Sequence, residues 1–263
     1  VLEQFFEEGI ALGLAQAGAV SVLVLATVLV ARRQGIHLEK ESSVAMVRGL
    51  VQIVVVGSVL VLLLQGPQWT SVLVLAGMMI AGATIAARRA RGIPGAFSIS
   101  LYGIAFGSGV VIGAMTFLGV IEAGISSLVP VGSMVIASAM RTSSLALDRF
   151  HSEVTGHTGE VETKLSLGVA PAAVVSPYVE TAVTASLIPH IDSLSSLGIV
   201  WIPGLMAGMV LAGTDPVYAA VYQFAVIAMI LGASGLTSLV TTLLIRQRAF
   251  SAAEQLVLRP EAA

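Results

Sequence analysis

Apolar residues run through this chain in long blocks, and the polar residues between the blocks are sorted by charge. A helix needs about 20 mainly apolar residues to cross the hydrocarbon core of a bilayer. The first such block is Ile10 to Ala31, stopped by Arg32 and Arg33. The second runs from Val44 to Gln65 and ends at Gly66-Pro67. Trp69, an aromatic suited to the membrane interface, opens a third block that Arg88 and Arg89 stop after Ala87. A tight turn at Gly92 to Gly95 leads to a fourth, Phe97 to Leu118. Ile125 to Leu145 is the fifth, with Pro130 inside it. Gly198 to Gly213 is a short sixth containing Pro203-Gly204, and Val217 to Ile245 is the seventh.

The stretch from Leu165 to Ile188 is ambiguous, because Pro171, Pro177, Glu180 and then Pro189 interrupt its apolar content. Parity decides it. The 13 Lys and Arg residues lie at 32, 33, 40 and 48, at 88, 89 and 91, at 141, 149 and 164, and at 246, 248 and 259. If the stretch does not cross, all of them fall on one side, which the positive-inside rule makes cytoplasmic. If it crossed, Arg246, Arg248 and Arg259 would emerge on the other side. The pattern therefore predicts an all-α, polytopic helix bundle of seven spans, N-terminus outside and C-terminus inside. Helices lie at the cytoplasmic surface between spans five and six, partly packed on the bundle. The outer face keeps Glu3, Glu7, Glu8, Glu122 and Asp215, and no base.

Composition narrows the class. Of 263 residues 56% are hydrophobic and 11% charged, against about 25% charged in soluble domains. The reading is one transmembrane domain over 1–263, with 146–196 as its cytoplasmic region. There is no cysteine, which removes disulfides, thiolate metal sites and Cys nucleophiles. Net charge is -2, with bases in short clusters, so no nucleic-acid surface is expected. The first apolar block follows acids rather than a basic leader and reads as a retained helix, not a cleaved signal.

Several residues break the apolar pattern. Arg48 and Gln52 are one turn apart on one face of span two; they suit a polar translocation lining or gate, or a snorkelling arginine with an interhelical hydrogen bond. Gln223 in span seven poses the same choice. Glu122 and Asp215 could gather a cation at the outer turns, or simply be solvated. Nine methionines, among them Met134 and Met206, could offer thioethers to a soft metal or fill the bundle. His37, His151, His157 and His190 have no metal-site spacing, so a catalytic zinc is not expected. Gly204, Gly208, Gly213, Gly232 and Gly235 allow close helix approach or a moving gate.

The loop Glu162-Thr-Lys-Leu-Ser-Leu-Gly168 resembles the coupling motif of ABC-transporter membrane subunits, a glutamate and a glycine six residues apart between two short helices. Thr163 and Lys164 stand where the motif has small residues. Over nearly its full length the chain is similar to the iron-export permease family of ABC transporters, which includes plant aluminium-tolerance membrane subunits. The resemblance is carried by Leu197-Gly-Ile-Val-Trp-Ile-Pro203-Gly204-Leu-Met206-Ala-Gly208-Met-Val-Leu-Ala-Gly213-Thr-Asp-Pro216, Tyr222-Gln223, Ile230-Leu-Gly232-Ala, the Arg48/Gln52 pair and Ala146-Leu-Asp148-Arg149. Ala137-Ser138 replaces the family's glycine-asparagine, and Leu205-Met206 its double methionine.

The resemblance implies a permease subunit of an ABC exporter in the bacterial cytoplasmic (inner) membrane, moving iron or another metal ion. It implies a homodimer surrounded by membrane lipids, with the helices between spans five and six as coupling helices and Arg149, Glu162, Lys164 and Gly168 as the coupling residues to a cytoplasmic ABC ATPase. Arg48, Gln52, Ser138 and Gln223 are the candidate pathway, and Glu122, Met134, Met206 and Asp215 the candidate metal contacts. The sequence contains no Gly-x-x-x-x-Gly-Lys-Ser/Thr. This chain is therefore expected to bind no cofactor and not to be an enzyme; ATP and Mg would belong to the partner. The alternative is a stand-alone secondary transporter or channel for a cation or small solute.

Overall fold

Uninterrupted apolar blocks become helices because a helix satisfies every backbone polar group internally, the one local solution available in lipid. The computed structural model describes residues 9–35, 39–64, 66–90, 92–251 and 253–258. Glu3, Glu7, Glu8, His37, Arg91 and Arg259 lie outside the described residues. The chain divides into two compact units, Val1–Gly66 and Pro67–Ala263.

In the first unit α1 (Gly9–Arg33) and α2 (Glu39–Leu64) pack on each other. Arg32 and Arg33 close the last turn of α1, where positive charge suits the carbonyl end of the helix dipole. The second unit holds α3 (Trp69–Arg89), α4 (Ala96–Phe117), α5 (Ile125–Gly156), α6 (Thr158–Ser166), α7 (Pro171–Val174), α8 (Ser176–Ser195), α9 (Gly204–Leu211) and α10 (Pro216–Arg248). Among the described residues six helices, α1 to α5 and α10, are long and apolar enough to cross a membrane. The fold is all-helical among the described residues, apart from two isolated bridges.

Two apolar clusters stack along the second unit. One gathers Ile93, Phe150, Val154, Val174 and Ile245, where α3, α5 and α10 end and α4 begins. The other gathers Leu75, Ile112, Val135 and Val226 further along the same helices. Between α4 and α10 the packing is tighter than apolar side chains would allow. A Cβ on Gly107 would meet the Thr237 side chain and lie 2.7 Å from the Ala233 carbonyl oxygen. Small residues let membrane helices approach this closely.

Two stretches differ from the expectation. Leu165 to Ile188 packs on the bundle more extensively than partial packing implies: from Ser176 onward α8 runs along α5 and α10. The Tyr178 ring stacks on His157 at the foot of α5 (5.4 Å). Thr142 and His190 are joined at 2.8 Å, and Ser186 and Ser238 at 2.7 Å, so α8 climbs antiparallel to α5 with hydroxyl pairs on its buried face. The predicted sixth span is not one helix either. Residues 196–203 form a turn in which Gly198 N–H donates to the Trp201 carbonyl (3.0 Å), and the helix resumes only at Gly204. The eight residues of α9 reach about 12 Å at roughly 1.5 Å each, too little to cross alone. Leu205 packs in the same cluster as Tyr222 and Val226, so α8 and α9 follow one another along α10 with a break between them.

Candidate functional site

A knob closes the lower end of the second unit. Helix α6 ends at Gly168, whose φ of 82° is the left-handed conformation glycine adopts without strain. Gly168 N–H donates to Leu165 O (2.9 Å) and Val169 N–H to Lys164 O (3.1 Å), the paired bonds of a glycine-terminated helix. The chain then turns into α7 at Pro171, where a first-turn proline has no hydrogen bond to lose. Val161, Val174 and Val175 are fully or almost fully buried against Phe150 and Ile245, while Leu167 at the tip is 77% exposed. An apolar tip thus stands on a base rooted in α5, α8 and α10.

Beside it, α3, α5 and α8 enclose a cavity of about 550 Å³, lined by Arg89, Arg141, Thr142, Asp148, Ser186 and His190 among others. Arg141 donates to the buried Ser138 hydroxyl (2.9 Å). From the cavity wall inward runs a seam of buried hydroxyls: Thr142 and Ser186 on the wall, then Ser143, Ser238 and Thr241, with Thr241 donating to Ser143 at 3.3 Å.

The residues singled out from sequence distribute as follows. Glu162 and Arg149 are exposed on α6 and at the lower end of α5. Lys164 pairs with Glu160 at 2.6 Å, not with Glu162; that bond holds the Glu160 carboxyl below the usual carboxylate range. Arg48 and Gln52 share a shallow groove on α2 with Val44 and Val51. Ser138 is turned to Arg141, whereas Gln223 is 3% exposed and its side-chain oxygen has no partner among the described residues. Asp215 caps α10, its Oδ1 accepting from Val217 N–H (3.0 Å) and Tyr218 N–H (2.9 Å). Glu122 is exposed near Ser127 (3.5 Å). Met134 is 42% exposed on α5, and Met206 is half-buried on α9. Among the described residues no group of three or more His, Asp or Glu could hold a metal ion.

A model of the "Uncharacterised protein family (UPF0014)" matches residues 14–250, nine-tenths of the chain. The chain belongs to the UPF0014 family. It is 29% identical over 238 residues to the "Probable iron export permease protein FetB" of Escherichia coli, covering 90% of this chain and 92% of that one. It is 33% identical to a UPF0014 membrane protein of Synechocystis (89% and 93% covered). To the "Protein ALUMINUM SENSITIVE 3" of Arabidopsis thaliana it is 28% identical (93% and 90% covered). No solved structure matches. With its apolar helices, this UPF0014 member is a multi-pass membrane protein of a permease family.

Sequence reading of this UPF0014 chain missed the cavity. In the sequence, Arg141 and Arg89 mark only the cytoplasmic side. The available signal was the run Arg141-Thr-Ser-Ser144, polar residues inside a helix whose apolar pattern resumes after them. The hydroxyl seam was legible as Ser234, Thr237, Ser238, Thr241 and Thr242, spaced three and four apart along one face of α10.

Proposed function

We propose that this chain is the membrane-spanning permease subunit of an ABC exporter, moving iron or another metal ion outward with energy from a separate cytoplasmic ATPase. Its closest support is the knob. Leu167 to Ala170 is an exposed apolar tip on a buried base, shaped to enter a groove on a partner. Val161 and Val174 under the tip share one buried cluster with Phe150 and Ile245, through which a displacement of the tip would reach α5 and α10. Arg149, Glu162 and Lys164 flank it as polar contacts for the ATPase, which carries the ATP and Mg.

In this reading the chain crosses seven times: α1 to α5, then α8 and α9 together as one interrupted crossing, then α10. The N-terminus is outside and the C-terminus inside, which returns every basic residue to the cytoplasmic side. Two copies pair in the bacterial inner membrane, with Arg48, Gln52, Ser138 and Gln223 on the pathway and Glu122, Met134, Met206 and Asp215 available to the metal. The relative named as an iron export permease supports the cargo. A stand-alone secondary transporter is the reading the α8–α9 break would favour, since such proteins place broken helices at their sites.

The two readings separate on ATP hydrolysis. The chain, produced with the ABC ATPase that co-purifies with it, should stimulate hydrolysis, and Glu162→Gln or Gly168→Val should reduce that stimulation. A folded chain that captures no ATPase, or whose stimulation ignores both substitutions, removes the exporter reading.

A further inference from the structure

We propose that the cavity between α3, α5 and α8 binds an anionic oxygen group, a carboxylate or a phosphate, through Arg141 and Arg89. The cavity carries two guanidinium groups and an imidazole against one acid, Asp148. Among the described residues the ion pairs are His157–Glu153 and Lys164–Glu160, so neither arginine nor Asp148 is neutralised within 4.0 Å. Both guanidinium groups line the cavity while staying open to solvent, so an anion entering it is attracted by both. Arg141 is also aimed. Its Nη2 is held by the buried Ser138 hydroxyl (2.9 Å), which fixes the plane of the fork and leaves its other N–H donors for a ligand. A guanidinium fork matches carboxylate and phosphate geometry with two parallel hydrogen bonds. Thr142, engaged with His190 at 2.8 Å, and Ser144 supply neutral polar surface beside it.

This surface disfavours a bare divalent cation and accepts one only inside an anionic chelate. The inference rests on the exporter reading for its use, not for binding itself: cargo would enter as an organic anion or as a metal held by carboxylates or phosphates. The same chemistry is present in a phospholipid headgroup, so the source of the anion has to be separated by experiment.

The purified chain in phosphatidylcholine nanodiscs is titrated calorimetrically with citrate, inorganic phosphate and manganese(II) chloride. Citrate or phosphate should bind, and Arg141→Gln should weaken binding roughly tenfold or more, as expected for losing a charge-assisted hydrogen-bond pair. Arg141→Lys should retain part of it, and Arg89→Gln should also weaken it. In phosphatidylglycerol nanodiscs, competition that raises the apparent dissociation constant for citrate in the unsubstituted chain but not in Arg141→Gln identifies a headgroup phosphate as the occupant and supports the site. An elution profile matching the unsubstituted chain checks folding, and Arg89→Gln serves if Arg141→Gln misfolds. Citrate and phosphate that bind neither preparation, or bind the Arg89→Gln/Arg141→Gln chain equally well, overturn the proposal. So does manganese(II) that binds alone and is weakened by Arg141→Gln. ATPase capture is read separately, so a chain that binds citrate but captures no ATPase keeps this site and loses the exporter reading.

Discussion

Replacing Gly107 with alanine pushes α4 and α10 apart. The added Cβ would meet the Thr237 side chain, which can rotate, but also the Ala233 carbonyl oxygen and the Thr237 nitrogen, each at 2.7 Å. Those two are backbone atoms and cannot move without their helix. Ordinary contact begins near roughly 3.5 Å, so the helices must separate by about 0.8 Å. Overpacking of this kind costs about 1–3 kcal/mol. Alanine recovers about 0.5–1 kcal/mol through helix propensity, which leaves a net destabilisation of about 0–2.5 kcal/mol. Gly109, two residues on, is the internal control, because a Cβ there meets nothing within 4 Å. Gly109→Ala keeps only the propensity gain and should stabilise slightly. Reversible unfolding of both variants by dodecyl sulfate in mixed micelles measures the difference, expected at about 1–3 kcal/mol. If Gly107→Ala is as stable as Gly109→Ala, the close α4–α10 contact is wrong.

Other substitutions separate structural from functional roles. Asp215→Ala should cost about 1 kcal/mol through loss of the α10 cap, measured by the same unfolding, with Asp215→Asn recovering most of it; weaker metal binding at unchanged stability would instead mark a cation ligand. Leu167→Asp should leave the unfolding midpoint unchanged, because the side chain is 77% exposed, while abolishing ATPase capture; capture at the unsubstituted level would refute the knob as the docking tip. Lys164→Ala should lower stability at pH 7 only slightly, since its pair with Glu160 is exposed. The lowered Glu160 pKa means that pair contributes above the usual carboxylate range and is lost as pH falls through the lowered value. The small difference between Lys164→Ala and the unsubstituted chain should therefore be present at neutral pH and vanish at the acid end of a stability profile.

Much of this arrangement was legible before the structure. The ends of α1, α3 and α10 fall where arginines stop the apolar blocks, because charge is expensive in lipid and favourable at a helix C-terminus. Gly168 was legible as a corner since few other residues hold that φ. The α8–α9 break was not. Hydropathy scores what lipid accepts, and α8 carries Glu180, His190 and Asp192; it is held in the bundle by contacts such as Ser186–Ser238 and Thr142–His190, which depend on partners far along the chain. Conversely, Ile199, Val200 and Ile202 made the break look like membrane span, although all three are exposed and non-helical. The length of α5 was missed for a related reason. Beyond Leu145 it leaves the apolar pattern, yet Phe150 and Val154 keep it helical by packing under α6 and α7.

The chain contains no cysteine, so single cysteines at Ala170 on the knob and at Thr214 beside the α10 cap report on both ends of the second unit. Intact cells are treated with a membrane-impermeant maleimide, and the same variants are then crosslinked to the co-produced ABC ATPase. The account predicts that Thr214→Cys is labelled from outside, that Ala170→Cys is protected, and that Ala170→Cys crosslinks to the ATPase with a yield that changes on adding ATP and Mg. External labelling of Ala170→Cys, or crosslinking through Thr214→Cys instead, would contradict it.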